Sequence, residues 1–225
     1  MAPVDPSASR PPPEPPAYAG RVKYDAARAL RYEARSAARH AEEWDVVTRL
    51  LDDVPAPATV FDAPCGTGRI AAEWLARGAR VRLGDWSPDM LERARARVGD
   101  DPRVAGFERV DLEAPPAADA PKDDLVICLR FFHHLPDDAR RRAVLRTLKA
   151  RARDVVIVSF HHRVSLHQLA RALRRVVTGR RGDRHATTVR RLAELAREEG
   201  LVLEKTAATA RYLRDFWAAR LRVRA

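Results

Sequence analysis

Cysteine is nearly absent: Cys65 and Cys128 are the only two in 225 residues. Two thiols cannot build a disulfide scaffold, and a reducing cytoplasm is the expected setting. No run of 18 uncharged apolar residues occurs, so no membrane-spanning helix of ordinary length is expected. The first residues lack the apolar stretch of a secretory leader. Internal repeats are also missing. Lysine is scarce, with Lys23, Lys122, Lys149 and Lys205 the only four among 42 basic residues.

What is present instead is arginine and alanine, a bias that genome composition produces as readily as function. The net charge is +11, but its position says more than its size. Residues 161–191 hold nine arginines (163, 171, 174, 175, 180, 181, 184, 190 and 191) against one acid, Asp183, and so carry +8 of the total. The basicity is a local patch and not a field over the whole molecule. Hydrophobic residues make up 46%, enough for one core in a chain of this length.

Residues 1–20 contain seven prolines and little that packs, which reads as a disordered tail. Residues 21–54 read as an N-terminal helical cap. Val46, Leu50 and Leu51 fall on one helical face, Trp44, Val47 and Val54 widen it, and Pro55 and Pro57 end it. From residue 55 onward strands and helices alternate. Short apolar strands are expected at 59–63, 80–84, 104–110, 124–129 and 154–160. Helices are expected at 70–76, 88–98, 137–149, 164–177 and 187–199, with a final strand pair at 201–206 and 216–223. Ser87 followed by Pro88 is a helix-start pair. The run Asp-Leu-Val-Ile-Cys-Leu at 124–129 suits a central parallel strand buried on both faces. This order predicts an α/β fold: a doubly wound, seven-stranded, mostly parallel sheet with helices on both faces and the last strand antiparallel.

In such sheets ligands sit beyond the carboxyl ends of the strands. The first three strands are followed by Asp62 with Gly66-Thr67-Gly68, by Asp85, and by Asp111. The fourth is followed by Arg130, Phe131, Phe132, His133 and His134, and the fifth by His161 and His162. The glycine turn is ambiguous by itself, because Gly66 to Ala71 also satisfies a dinucleotide pattern, with Asp85 near the ribose-binding position. Asp62 separates the two readings. A carboxylate at the strand end repels a pyrophosphate and suits the ammonium of an amino acid. In a phosphate loop the first glycine also follows the strand directly, whereas Asp-Ala-Pro-Cys intervene here.

Asp62–Gly68, Gly84–Leu91, Val110–Glu113 and Asp124–Leu135 resemble, in order and spacing, the four signature segments of class I S-adenosylmethionine-dependent methyltransferases. The resemblance spans about residues 55–160, and the segment Phe-Phe-His-His-Leu is similar to that of small-molecule and quinone-type members. It implies S-adenosylmethionine as cofactor and a set of roles. Gly66 and Gly68 admit the methionine moiety, and Asp62 orders its amino group. Asp85 accepts from the ribose hydroxyls, Trp86 covers the adenine, and Asp111 with the Leu112 amide takes the adenine amino group. Arg130 contributes through its backbone. Pro64 stands where many members have glycine, which implies a stiffer turn.

His133 and His134 are the candidate catalytic residues, with the second histidine the recurrent one in the family. A hydroxyl acceptor needs a base of near-neutral pKa, and imidazole supplies it. A buried histidine bonded to backbone fits the same residues. No cysteine or acid with ligand spacing joins the histidines, so no metal is expected. Cys65 and Cys128 read as small buried hydrophobes. The Asn/Asp-Pro-Pro-aromatic signature of amino-group methylation on bases is absent after the fourth strand.

The insert at 161–187 has an apolar helical face (Leu166, Leu169, Ala170, Leu173, Val176, Val177) and an arginine face. It could cover an anionic or lipid-like acceptor, touch an anionic membrane surface, hold RNA phosphates, or be a solvated face. Tyr24, Tyr32 and Arg35 are expected to face the pocket from the N-terminal helices. The expectation is methylation at oxygen or carbon of a small or lipid-like acceptor, giving S-adenosylhomocysteine. RNA methylation through the arginine patch ranks behind it, as does a non-catalytic cofactor-binding protein.

Overall fold

The computed structural model describes residues 40–165, 185–210 and 216–224. At its centre lies one seven-stranded sheet. Its strands are β1 (Thr59–Asp62), β2 (Arg80–Asp85), β3 (Val104–Arg109), β4 (Asp123–Cys128), β5 (Ala152–His161), β6 (Leu201–Ala208) and β7 (Phe216–Val223). The spatial order is β3-β2-β1-β4-β5-β7-β6. The first five strands pair in parallel. Strand β7 runs antiparallel to both of its neighbours. The expected sheet is therefore found, and the strand order reverses between β1 and β4, where a ligand crevice opens in such folds.

The helices are α1 (described over 40–50), α2 (Arg69–Ala76), α3 (Pro88–Val98), α4 (Asp138–Arg151) and α5 (Val189–Glu198). Alternation along the strands separates two cores. Val60, Leu125, Ile127, Val155 and Ile157 face α1, α2 and α3. Phe61, Val126, Cys128, Val156 and Val158 face α4 and α5. Each fully buried Leu, Ile or Val contributes about 1.5–3 kcal/mol relative to exposure. Helix α1 joins through Trp44, Val46, Val47 and Leu50, all buried. Leu51, expected on that face, is half-buried.

Element starts follow local chemistry. Ser87 Oγ accepts from the Met90 amide and caps α3. Asp137 and Thr188 cap α4 and α5 in the same way, through the amides of Arg140 and Arg191. Strand β5 is longer than the apolar run suggests, because pairing with β7 continues through His161 opposite Phe216. His161 thus ends the strand instead of following it. Val164 and Ser165, expected to begin a helix, form a bend; the rest of the helix expected at 164–177, Tyr24, Tyr32, Arg35 and the proline-rich tail lie outside the described residues.

Candidate functional site

The turn after β1 is held from four sides. The Ala63 amide donates to the Ile127 carbonyl and the Cys65 amide to the Gly84 carbonyl. The Gly66 amide donates to Asp85 Oδ2 at 2.9 Å, and Arg97 Nε donates to the Thr67 carbonyl at 2.8 Å. Gly66 and Gly68 have positive φ, 53° and 73°. A Cβ on Gly68 would lie 3.1 Å from Ala94 of α3, whereas one on Gly66 would point into open space. So Gly68 is required for packing and conformation, and Gly66 leaves a cradle beside the loop. The Ala63–Pro64 peptide is cis.

Asp62 closes β1 and is 2% exposed. Its Oδ2 is buried without a hydrogen-bond partner. Burial, followed by the nearby Asp85 carboxylate, pushes its pKa up to about 8; the Ala71 amide and Arg69 oppose this more weakly. A buried carboxylate with an unpaired oxygen is costly unless a cation or donor reaches it. This unpaired acceptor therefore fits an ammonium group, which would donate to it. Asp85 ends β2 and uses both oxygens at once, Oδ2 for Gly66 and Oδ1 for the Ser87 amide at 2.9 Å. Burial raises its pKa, against those amides. Asp85 thus fastens the glycine turn to the start of α3, a duty that its sequence position alone did not reveal.

Trp86 is half-buried. The Arg109 guanidinium lies over one face of its ring, 4.4 Å from the centroid, and donates to the Trp86 carbonyl. Asp111 Oδ1 accepts from the Glu113 amide at 3.1 Å, which shapes the turn carrying the buried Leu112. Asp62, Pro64, Gly66, Gly68, Asp85, Trp86, Asp111 and Leu112 thus lie at or just beyond the carboxyl ends of β1, β2 and β3. Cys65 and Cys128 are buried thiols whose pKa burial raises well above the ordinary value. That fits the small-hydrophobe reading.

The other half of the edge follows β4 and β5. Arg130 has φ 57°, and its amide donates to Ser159 Oγ of β5 at 2.6 Å. Its side chain does more than expected: the guanidinium pairs with Glu43 of α1 and lies over Phe216. Sequence reading missed Glu43. The available signal is helical spacing, since Glu43 shares a face with Val46, Val47 and Leu50, an unusual place for an unpaired acid. His133 and His134 form a short 3-10 turn with Phe132, and all three are buried. The His133 ring lies 4.0 Å from His134 and 4.3 Å from His161. His162 stacks on Trp217.

Among the described residues, no group of three or more His, Cys, Asp or Glu is arranged to hold a metal. No helix among them is long and apolar enough to cross a membrane. Of the arginine patch, Arg190 is paired with Glu194, and Arg191 with Asp138 and Glu194. Residues 166–184 lie outside the described part.

Residues 60–154 match the family described as a methyltransferase domain. A ubiquinone biosynthesis O-methyltransferase of Alkalilimnicola ehrlichii is 31% identical over 80 residues, covering 36% of this chain and 32% of that protein. A malonyl-[acyl-carrier protein] O-methyltransferase of Pseudescherichia vulneris is 41% identical over 64 residues, 28% of this chain and 24% of that protein. The matched stretches thus span a third or less of these curated relatives. The magnesium protoporphyrin IX methyltransferase of Synechocystis, solved with bound S-adenosylmethionine, superposes with a TM-score of 0.62 at 20% identity. That superposition covers 82% of this chain and 80% of that one, and it shows a shared fold.

Proposed function

We propose that this chain, whose residues 60–154 match a methyltransferase domain, is a class I S-adenosylmethionine-dependent enzyme that transfers the methyl group to oxygen or carbon of a small or lipid-like acceptor. S-adenosylhomocysteine is the second product, and the cytoplasm is the place of action. The observation that carries this reading is the buried, unpaired Oδ2 of Asp62 beside the open cradle at Gly66. An α-ammonium would satisfy that oxygen and favour the ionised carboxylate, which an anionic pyrophosphate would disfavour.

The donor, when bound, supplies an electrophilic methyl group on a positively charged sulfur. Asp62 binds the ammonium, with Pro64, Gly66 and Gly68 shaping the wall around the methionine part. The remaining lone pairs of Asp85 accept from the ribose hydroxyls. Trp86 covers the adenine, Asp111 and the Leu112 amide take its amino group, and the Arg130 backbone closes the site where β4 ends. Alignment is the main task, since correct placement of two reactants can remove about 7–11 kcal/mol of a barrier. His134, with His133 beside it, accepts the proton of a hydroxyl acceptor just beyond β4, the strand adjacent to β1. The relatives named for ubiquinone and malonyl-carrier methylation support a small-molecule or lipid-like acceptor. The insert at 161–187 is the element we assign to that acceptor or to an anionic membrane surface.

Two measurements test the reading. Labelled S-adenosylmethionine should transfer its methyl group to a quinol or phenol in a mixed small-molecule panel. A generic RNA oligonucleotide at low salt should show no binding; salt-sensitive binding to it would move the assignment to RNA.

A further inference from the structure

The carboxyl ends of β4 and β5 bring imidazoles together from different parts of the sequence. The rings of His133 and His161 are parallel within 2°, with centroids 4.3 Å apart. They are 5% and 4% exposed. One returning segment ties both main chains: the His185 amide donates to the His133 carbonyl at 2.8 Å, and the Thr187 amide to the His161 carbonyl at 2.9 Å. The stack is therefore fixed by backbone on both sides.

Two imidazoles at this distance, shielded from water, cannot both be cationic without strong repulsion. A single proton on the pair is tolerated, since the neutral ring presents a π-face to the cationic one. Among the described residues, the nearby titratable groups include His134 on the same turn, His162 next along the chain from β5, and His185 on the returning segment. The neighbouring charged residues in sequence are Arg163 and Arg130, the latter paired with Glu43. Strand β7 presents Phe216 opposite His161 and Trp217 against His162, neither of them charged.

We propose that His161 is a positioning residue that sets the proton affinity of His133, the stacked pair holding at most one proton so that one ring stays a base. This rests on the reading that an acceptor hydroxyl loses its proton at this edge. In that step the O–H bond breaks and its proton passes to the His134 imidazole and on to the neutral His133 ring, 4.0 Å away between centroids. The oxygen electron pair forms the bond to the methyl carbon as the carbon–sulfur pair returns to sulfur. His161 touches neither reactant; it acts through His133.

The test is a proton NMR titration of the histidine ring resonances in the full chain, without donor or acceptor, with His133 identified by its loss in His133→Gln. The expected result is a coupled pair: His133 and His161 titrate in two steps, one at least a unit below the ordinary imidazole value of about 6.5. In His161→Phe, which keeps a stacked ring without a proton site, His133 should return to one step nearer the ordinary value. The acid limb of kcat/KM should then move by about one pH unit. Single-step titration of both residues near the ordinary value in the parent protein overturns the proposal, even if His161→Phe fails to fold. A His133 midpoint unmoved in a folded His161→Phe protein overturns it as well. Since the titration needs no methyl transfer, loss of the functional reading leaves its outcome intact, and the reverse also holds.

Discussion

The two halves of the strand edge are built from opposite chemistry. Beyond β1, β2 and β3 the groups are carboxylates and glycines, and they are held mainly by backbone amides within 25 residues of one another in sequence. Beyond β4 and β5 the groups are imidazoles and an arginine, held by partners from across the chain: Glu43, Ser159, His185 and Phe216. The first half is suited to a cation joined to a nucleoside, and the second to moving a proton. On the proposed reading, binding and chemistry are divided along one edge, and the division is open to mutation.

The largest effect is expected in the second half. His134→Ala should lower kcat by roughly 10²–10⁴-fold while leaving donor affinity within about twofold, read by steady-state kinetics beside calorimetric donor binding. Full turnover would return His134 to a structural role. In the first half, Asp85→Ala removes the anchor of two amides as well as the acceptors we propose for the ribose. Hydrogen bonds to a charged group are worth about 1.5–3 kcal/mol each. The expected loss is therefore at least ~100-fold in donor affinity, measured by calorimetry.

Asp62→Asn should separate binding from stability. The native-state pKa of Asp62, about 8, lies above the ordinary 3.8. Its protonated form is therefore the one the fold favours. The associated stability is complete below about pH 4 and is lost as pH rises to about 8, by up to about 1.4 kcal/mol per unit. The amide does not titrate, so the variant should outlast the parent in urea at pH 8.5, with the gap shrinking toward pH 5. The same linkage makes donor binding release a proton below pH 8. Parent affinity should then rise by up to about tenfold per unit between pH 6 and 8, and the variant should show no such slope. The smallest effect is structural: Glu43→Gln weakens the clasp between α1 and Arg130, and should lower stability by about 1–2 kcal/mol in urea titration with donor affinity nearly unchanged.

The same contrast explains what the sequence made legible. Asp62, Gly66, Gly68, Asp85 and Asp111 lie at short offsets from strand ends, so strand periodicity alone places them at the edge. Element identities were legible for the same reason, and their limits shifted where tertiary pairing extends a strand, as at His161. The Glu43–Arg130 pair joins residues 87 apart in sequence, and no local rule connects them. The His133–His161 stack needs the relative register of β4 and β5. The Arg109 cover on Trp86 needs the pairing of β2 with β3. Side-chain partners across a sheet follow from register, which a single sequence encodes only weakly.

The central claim is that the edge of β1–β3 receives a cationic amino acid joined to adenosine. Thermal unfolding of the full chain with S-adenosylmethionine, S-adenosylhomocysteine or NAD tests it most directly. At about 100 times the dissociation constant a ligand adds about 2.7 kcal/mol, or roughly 5–10 °C in Tm for a chain of this size. The expected result is such a rise with either sulfur ligand, none with NAD, and little left in Asp85→Ala. A rise with NAD and none with the sulfur ligands would contradict the account.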